Sequence, residues 1–158
     1  MVLSYMEEMI SKFYKAQGYT VSFHVIYKVP DDKTVKDIEI LAMNNKEAVI
    51  IECRPYTGHI EITDMTKATI QDFVSSEKAI KEVPMIKGKK ITKTLVVEEP
   101  IEKTDKELEK NGITVYLLED LMVDFLALLL KKHKGKRFEN RAADMIRNLI
   151  FSIIEERA

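Results

Sequence analysis

The chain lacks several features that define whole classes of protein. Its 158 residues contain a single cysteine, Cys53, so no internal disulfide can form. No glycine-rich dinucleotide fingerprint is present, and the segment KGKKITK lacks the glycines of a phosphate-binding loop. The three histidines, His24, His59 and His133, are scattered without the spacing of a zinc site. These absences argue against a disulfide-stapled scaffold, a nucleotide-binding loop and a structural zinc centre.

Long hydrophobic runs and an excess of one charge are also missing. The longest apolar run, 121–130, is interrupted by Asp124 and is shorter than the roughly 20 residues that a membrane span requires. Glu7 and Glu8 stand where a signal peptide needs positive charge. The 25 basic and 26 acidic side chains give a net charge of −1, which excludes a uniformly basic coat but allows local basic patches. We expect a cytoplasmic protein that does not bind membranes.

The hydrophobic content of 46% is sufficient for one domain of ordinary size. We predict that this domain covers residues 1–134 and that residues 135–158 form a C-terminal addition. Helical spacing from Glu139 to Glu156 places apolar residues on one stripe: Ala142, Ile146, Leu149, Ile150 and Ile153. This addition is predicted to pack on the domain or to form a homodimer.

Apolar spacing along the chain predicts ten elements in the order αβββαβαβαα. Helices are predicted over 2–17, 63–81, 101–110, 121–133 and 139–156, and strands over 21–29, 35–43, 47–53, 91–97 and 113–118. Thr63 and Asp120 are predicted to cap two of the helices, and Asn44-Asn45 is predicted to turn a hairpin. The order predicts an α/β fold with a mixed sheet and helices on its faces.

Charged residues on the two hairpin strands predict a shared site. Because side chains alternate along a strand, Asp37, Glu39 and Leu41 should share one face, and Glu52 and Arg54 should share a face of the next strand. A two-residue turn would pair Asp37 with Glu52, whereas a four-residue turn would pair Asp37 with Arg54 and Glu39 with Glu52. Both turns gather the four groups on one face, but a three-residue turn would separate them.

Crowded carboxylates in a half-buried sheet need a cation to offset their repulsion and desolvation, and Mg²⁺ or Mn²⁺ accepts oxygen ligands. Glu7 lies at the margin of the apolar stripe of the first helix and could lean over the sheet edge, whereas Glu8 points away. Asp37, Glu52 and Glu7 are therefore the predicted metal ligands. The alternative is a solvated ladder of ion pairs, each worth under about 1 kcal/mol, with Glu7 as an ordinary surface acid.

The run KDIEILAMNNKEAVIIECR, preceded by EEMISKFYKAQGYTV, resembles the PD-(D/E)xK nuclease superfamily, nearest to its Holliday-junction resolvase and Mrr-type branch. The resemblance covers residues 2 to 130 and is carried by Glu7, the entry Gly18-Tyr19-Thr20-Val21, Asp37 and the triplet Glu52-Cys53-Arg54. It implies a restriction-endonuclease-like three-layer α/β/α fold with a mixed central sheet. It also implies metal-dependent hydrolysis of branched or duplex DNA, with Asp37, Glu52, Arg54 and Glu7 as the catalytic residues.

The sequence departs from that pattern at two positions. Lys36 stands where the motif has proline, and Arg54 stands where it has lysine. Arginine keeps a permanent positive charge but cannot give up a proton, so it cannot act as a base. Lys67 in the following helix could supply the missing ammonium. The alternative function is a catalytically inactive protein of the same fold that binds nucleic acid or serves as an interaction subunit.

Lysine-rich segments are candidates for contacts with DNA phosphates. Non-specific contacts of this kind give salt-dependent binding, and the predicted residues are Lys67, Lys87, Lys89 and Lys90. The alternative is that these lysines are solvated side chains of loops and helix ends. Cys53 shares the parity of Val49 and Ile51 and is predicted to be a core residue, not a nucleophile.

Overall fold

The computed structural model describes residues 3–29, 33–54, 62–98 and 105–132. The predicted helix over 139–156, and with it the division at residue 134, lies outside these residues. The described elements are α1 Tyr5–Ala16, β1 Thr20–Lys28, β2 Val35–Met43, β3 Glu47–Arg54, α2 Ile62–Ile80, β4 Lys90–Val97, α3 Asp105–Lys110, β5 Ile113–Leu117 and α4 Leu118–Lys132. Their order agrees with the predicted order as far as the fourth helix.

One five-stranded sheet with the strand order β1-β2-β3-β4-β5 forms the middle layer. Strands β1, β2 and β3 are antiparallel neighbours, whereas β3, β4 and β5 run parallel, so the sheet is mixed. Central strand β3 reads as a continuous apolar run because helices cover both of its faces. Helices α1 and α4 pack on one face and α2 and α3 on the other, which confirms the three-layer α/β/α prediction.

Helix α1 begins with a capping box. The Ser4 hydroxyl accepts from the Glu7 N–H at 3.2 Å, and Glu7 Oε2 accepts from the Ser4 N–H at 2.7 Å. These two bonds satisfy N–H groups that would otherwise be unpaired at the helix start. Glu8 is exposed, as predicted, and Glu7 is buried, which excludes the alternative that it is an ordinary surface acid. Gly18, at φ +91°, then takes the left-handed conformation that leads the chain into β1.

Two predicted helix caps are wrong. Helix α4 begins at Leu118, directly after β5, so Asp120 lies within its first turn and not at its cap. The Asp120 carboxylate still favours the helix there, because the first turn carries the positive end of the helix dipole. Helix α2 begins at Ile62, which places Thr63 inside the helix.

The side-chain alternation of β1 reverses at His24. Val21 and Phe23 pack on the α1–α4 face, whereas Val25 and Tyr27 pack on the α2–α3 face, although a regular strand would put all four on one side. His24 lies between the two pairs at φ +48°, in the left-handed region. The single residue in this conformation rotates the following part of the strand.

Strand β2 reverses beside it, at Glu39. Ile40 packs on the α1–α4 face, but Ile38, two residues earlier, packs on the α2–α3 face together with Leu41. Asp37 therefore points to the opposite side of the sheet from Leu41. The prediction that Asp37, Glu39 and Leu41 share one face is wrong for Asp37, because it assumed an unbroken alternation.

No helix in the described ranges is long and apolar enough to cross a membrane.

Candidate functional site

The turn between β2 and β3 sets the register of the site. Asn44 Oδ1 accepts from the N–H groups of Lys46 and Glu47 at 2.8 Å each, and the Asn44 N–H donates to the Glu47 carbonyl. Met43 pairs with Ala48, so four residues separate the paired positions, as in the second predicted register. The predicted hairpin is confirmed.

The β2–β3 ladder runs as far as the pair Ile40 and Ile51. Beyond this pair, the Cys53 N–H donates to a side chain instead of a backbone carbonyl. Its acceptor is Glu39 Oε2, at 2.8 Å. This bond holds the Glu39 carboxylate in the gap between the two strands. Glu39, and not Asp37, is thus the acid of β2 that lies beside Glu52.

Arg54 is surrounded by three carboxylates. Its Nη1 lies 3.0 Å from Glu39 Oε1 and 3.4 Å from Glu52 Oε2, and its Nη2 lies 3.5 Å from Asp72 Oδ2 on α2. Nη1 also donates to the carbonyl of Cys53 at 3.0 Å. We call Glu39, Glu52, Arg54 and Asp72 the Arg54 cluster. Three carboxyl groups surround one guanidinium, so the cluster has more acidic than basic groups.

Glu52 is the most buried of the three acids in the Arg54 cluster, so the excess of acidic groups affects it most. It is 5% exposed, and burial together with the neighbouring Glu39 carboxylate raises its pKa to about 8, against the opposing effect of Arg54. A buried carboxyl of this kind gains from any additional cation that reaches it. Burial also raises the pKa of the adjacent Cys53 thiol, which keeps this side chain an unreactive member of the core, as predicted.

A second group of titratable side chains lies beside the first. His24 Nε2 is 2.8 Å from Glu7 Oε1, and His24 Nδ1 is 2.7 Å from Asp37 Oδ2. The hydrogen bond to Asp37, followed by the charge of Glu7, raises the pKa of His24 against a smaller effect of desolvation. The imidazole is thus favoured in its charged form, which joins α1 to the edge of the sheet.

A cavity of about 310 Å³ shows which predicted residues come together. Its wall consists of Tyr27, Val35, Lys36, Asp37, Glu39, Glu52, Arg54 and Asp72. Asp37, Glu52 and Arg54 thus share one cavity, although Asp37 reaches it from the other side of the sheet. Glu7 is not part of this wall, and its two carboxylate oxygens contact His24 and the Ser4 N–H.

The predicted lysines lie away from the cavity. Lys87, Lys89 and Lys90 lie at the start of β4, beside the β2–β3 turn, where Lys89 Nζ donates to the Asn44 carbonyl. Seven residue steps along β3 separate this end from Arg54, a distance of about 23 Å. Lys67 is exposed and lies about 140° around α2 from Asp72. The ammonium at the cavity belongs instead to Lys36, whose Nζ lies 3.0 Å from Asp72 Oδ1.

Three residues of this region were missed by the sequence-based prediction. Asp72 could have been found, because it lies three residues after Thr69 and four before Ser76, both of which are buried on the inner stripe of α2. Lys36 precedes the predicted acid of β2 and becomes important only through its contact with α2. His24 gave no signal, since its role depends on a backbone reversal that apolar alternation does not reveal.

The donor set of the cavity can be compared with what a divalent cation needs. Within the described ranges, no group of three or more histidine, cysteine or acidic side chains is arranged to hold a metal ion. Glu39 and Glu52 supply two adjacent carboxylates, one of them with a raised pKa. Mg²⁺ is commonly bound by one or two carboxylates, with waters and a substrate phosphate completing its shell. The residues fit this open type of site and not a closed protein cage.

Comparison with known proteins identifies the fold. No family model and no curated protein matches the chain. The small subunit of the heterodimeric restriction endonuclease R.BspD6I is similar, with a TM-score of 0.54 and 14% identity over 93% of this chain and 77% of that one. So is a protein of unknown function, AF1548, with a TM-score of 0.50 and 18% identity over 72% of this chain.

The chain spans only 56% of the length of AF1548. A third similar structure is an fdxN element excision controlling factor from Anabaena variabilis, with a TM-score of 0.50 and 10% identity over 74% of this chain and 93% of that one. Identities this low show the fold and not the activity. The chain has the restriction-endonuclease-like fold that its resemblance to the PD-(D/E)xK superfamily implied.

Proposed function

We propose that this protein hydrolyses phosphodiester bonds in DNA with the help of Mg²⁺ or Mn²⁺. The observation that carries the proposal is the pair of a partly buried Glu39 and a buried Glu52 beside Arg54, at the end of the central strand of a restriction-endonuclease-like sheet. Similarity of fold to the small subunit of a restriction endonuclease supports it. Branched and duplex DNA are both candidate substrates.

Each residue of the cavity then has a role that its position allows. Glu39 and Glu52 would hold the cation, which supplies polarisation of the phosphate and a lower pKa of bound water. Asp37, half exposed on the cavity wall, would accept a hydrogen bond from the attacking water. Arg54 would stabilise the negative charge that develops on the phosphate, and it cannot act as a base. Glu7 would position Asp37 through His24.

Cleavage of supercoiled plasmid, duplex oligonucleotide and four-way junction DNA tests this proposal, in Mg²⁺, in Mn²⁺ and with a chelator. We expect Glu52→Gln and Glu39→Gln to reduce the rate by at least about 100-fold, since each removes a carboxyl group that would hold the cation. The control is Glu109→Gln, on the exposed side of α3. Equal rates for Glu52→Gln and the unchanged protein would assign the cleavage to a contaminant or to another site.

A second candidate function is nucleic-acid binding without cleavage, as an inactive subunit. It is favoured by Arg54, whose ion pairs with three acids occupy the middle of the cluster. In that case the unchanged protein binds DNA but does not cut it, and Arg54→Lys creates or raises metal-dependent cleavage. Cleavage by the unchanged protein, lost on Glu52→Gln, would exclude this candidate.

A further inference from the structure

Lys36 and Arg54 are the two cationic side chains on the cavity wall. Asp72 lies between them and offers one carboxylate oxygen to each: Oδ1 is 3.0 Å from Lys36 Nζ, and Oδ2 is 3.5 Å from Arg54 Nη2. A single carboxylate on α2 thus sets the spacing of two cations that come from different strands, β2 and β3.

Asp72 is itself held in place by buried contacts. The hydroxyl of Ser76, which is 1% exposed, donates to the Asp72 carbonyl at 2.8 Å and lies 3.2 Å from the hydroxyl of Tyr27. Tyr27 pairs with Lys36 across the β1–β2 ladder. The turn of α2 that carries Asp72 is therefore tied to the strand next to Lys36, and the spacing of the two cations follows from the fold.

The two cations differ in how firmly they are held. Arg54 Nη1 is engaged by two carboxylates and by the Cys53 carbonyl, which hold the guanidinium in the cluster. The Lys36 ammonium lies at the rim of the cavity on a flexible four-carbon stem, with about a third of its side chain exposed. Lys36 can therefore exchange a contact with Asp72 for a contact with an incoming anion.

The anion expected in this cavity is a phosphate. Four acids line the wall, so they would repel a phosphodiester unless cations face it. We propose that Lys36 and Arg54 form a phosphate-contacting pair positioned by Asp72, in which Lys36 supplies the ammonium that the Glu52-Cys53-Arg54 triplet lacks. This inference rests on the proposed function, since it takes the bound phosphate to be that of DNA.

Binding of a fluorescein-labelled DNA duplex, measured by anisotropy over a range of salt concentrations without divalent cation, tests the contact directly. Lys36→Met should weaken binding about 5- to 10-fold and reduce the slope of log K against log salt by about 0.9, the value for one phosphate contact. Lys36→Arg should keep the slope of the unchanged protein, because it keeps the charge. The matched control is Lys110→Met, at the exposed end of α3, which should leave the slope unchanged.

The positioning role of Asp72 has a different signature. Asp72→Asn removes a negative charge from the cavity and should keep or raise DNA affinity, while it lowers the rate of cleavage in the bound complex about 10-fold or more, because the two cations lose their spacing. A change in affinity and rate together, in the same direction, would indicate a merely structural effect and would overturn this role. Circular dichroism of each variant checks that it is folded.

The outcomes separate this inference from the proposed function. If the unchanged protein cuts DNA and Lys36→Met cuts and binds like Lys110→Met, the inference is overturned and the proposed function stands. If the unchanged protein binds DNA without cutting it, and Lys36→Met but not Lys110→Met reduces the slope of log K against log salt by about 0.9, hydrolysis is overturned and the phosphate contact stands. Failure of the unchanged protein to bind DNA overturns both.

Discussion

At the scale of single residues, Glu52 links burial, charge and pH. Its carboxyl lies beside Glu39 and Asp72 and is balanced by one guanidinium, Arg54. Burial and the neighbouring acids raise its pKa from 4.5 to about 8, so the folded protein keeps a proton on Glu52 that the unfolded chain has already released at neutral pH. The contribution of this group to stability is complete below pH 4.5 and is lost as the pH rises towards 8.

Glu52→Gln should therefore flatten the pH dependence of stability. Without divalent cation, the free energy of unfolding of the unchanged protein should fall between about pH 5 and pH 8, by an amount on the order of 4 kcal/mol at most. The glutamine variant has no carboxyl to ionise and should lose much less. Urea denaturation at several pH values measures both curves, with Glu109→Gln as a control that follows the unchanged protein. Parallel curves for Glu52→Gln and the unchanged protein would contradict the raised pKa.

The sequence predicted which types of residue form the acidic site, but not which acid of β2 lies beside Glu52. The carboxylates of β2 and β3 and the arginine line one cavity, although the side-chain alternation on which the prediction rested is broken at Glu39. Which acid of β2 lies beside Glu52 could not be read, because two turn lengths were compatible with Asn44-Asn45. The Asn44 side chain decides it by accepting two backbone N–H groups, and this choice places Glu39 in the cluster.

At the scale of elements, the reversal in β1 and β2 separates the two groups of acids. Beyond His24, side chains that would have faced α1 turn towards α2, so Tyr27 and Lys36 meet Ser76 and Asp72 while Asp37 turns to His24. Histidine adopts positive φ more readily than most residues, but the conformation still carries strain. The contacts of the imidazole with two carboxylates help to offset it.

Two substitutions at His24 separate the effect of the backbone conformation on stability from the effect of the side-chain contacts. Asparagine tolerates the left-handed region and valine does not, whereas both remove the contacts with Glu7 and Asp37. We expect His24→Val to be less stable than His24→Asn by about 1–2 kcal/mol in urea denaturation. At Ser22, a regular position of β1, the order should reverse, since valine favours extended strands. Equal stability of the two His24 variants would show that the reversal costs nothing.

The start of α1 gives a second test at this scale. Ser4→Ala removes the acceptor for the Glu7 N–H and should lower the free energy of unfolding by about 1 kcal/mol, whereas Ser4→Asp keeps an acceptor and should cost much less. Thermal denaturation of the three proteins measures the difference. A loss as large for aspartate as for alanine would mean that the hydroxyl itself, and not the cap, is required.

At the scale of the whole molecule, the fold was more predictable than the site. Helical and extended spacing gave the order of the elements because burial imposes different periods on helices and strands, and nine of the ten predicted elements fall at least partly within the described residues. The connection from β5 to α4 was misjudged because a helix that continues directly from a strand has no loop residues to mark its start.

The predicted homodimer can be tested in the full chain. Residues 139–156 lie outside the described residues, but their apolar stripe predicts that Ile146→Asp or Ile153→Asp places a charge in a dimer interface. Light scattering should give twice the chain mass of 18.3 kDa for the unchanged protein and a single chain mass for either variant. Asn148→Asp, on the polar side of the predicted helix, should leave the dimer intact because it adds the same charge away from the stripe. A single chain mass for the unchanged protein, or a dimer that survives both isoleucine variants, would remove the stripe as the basis of assembly.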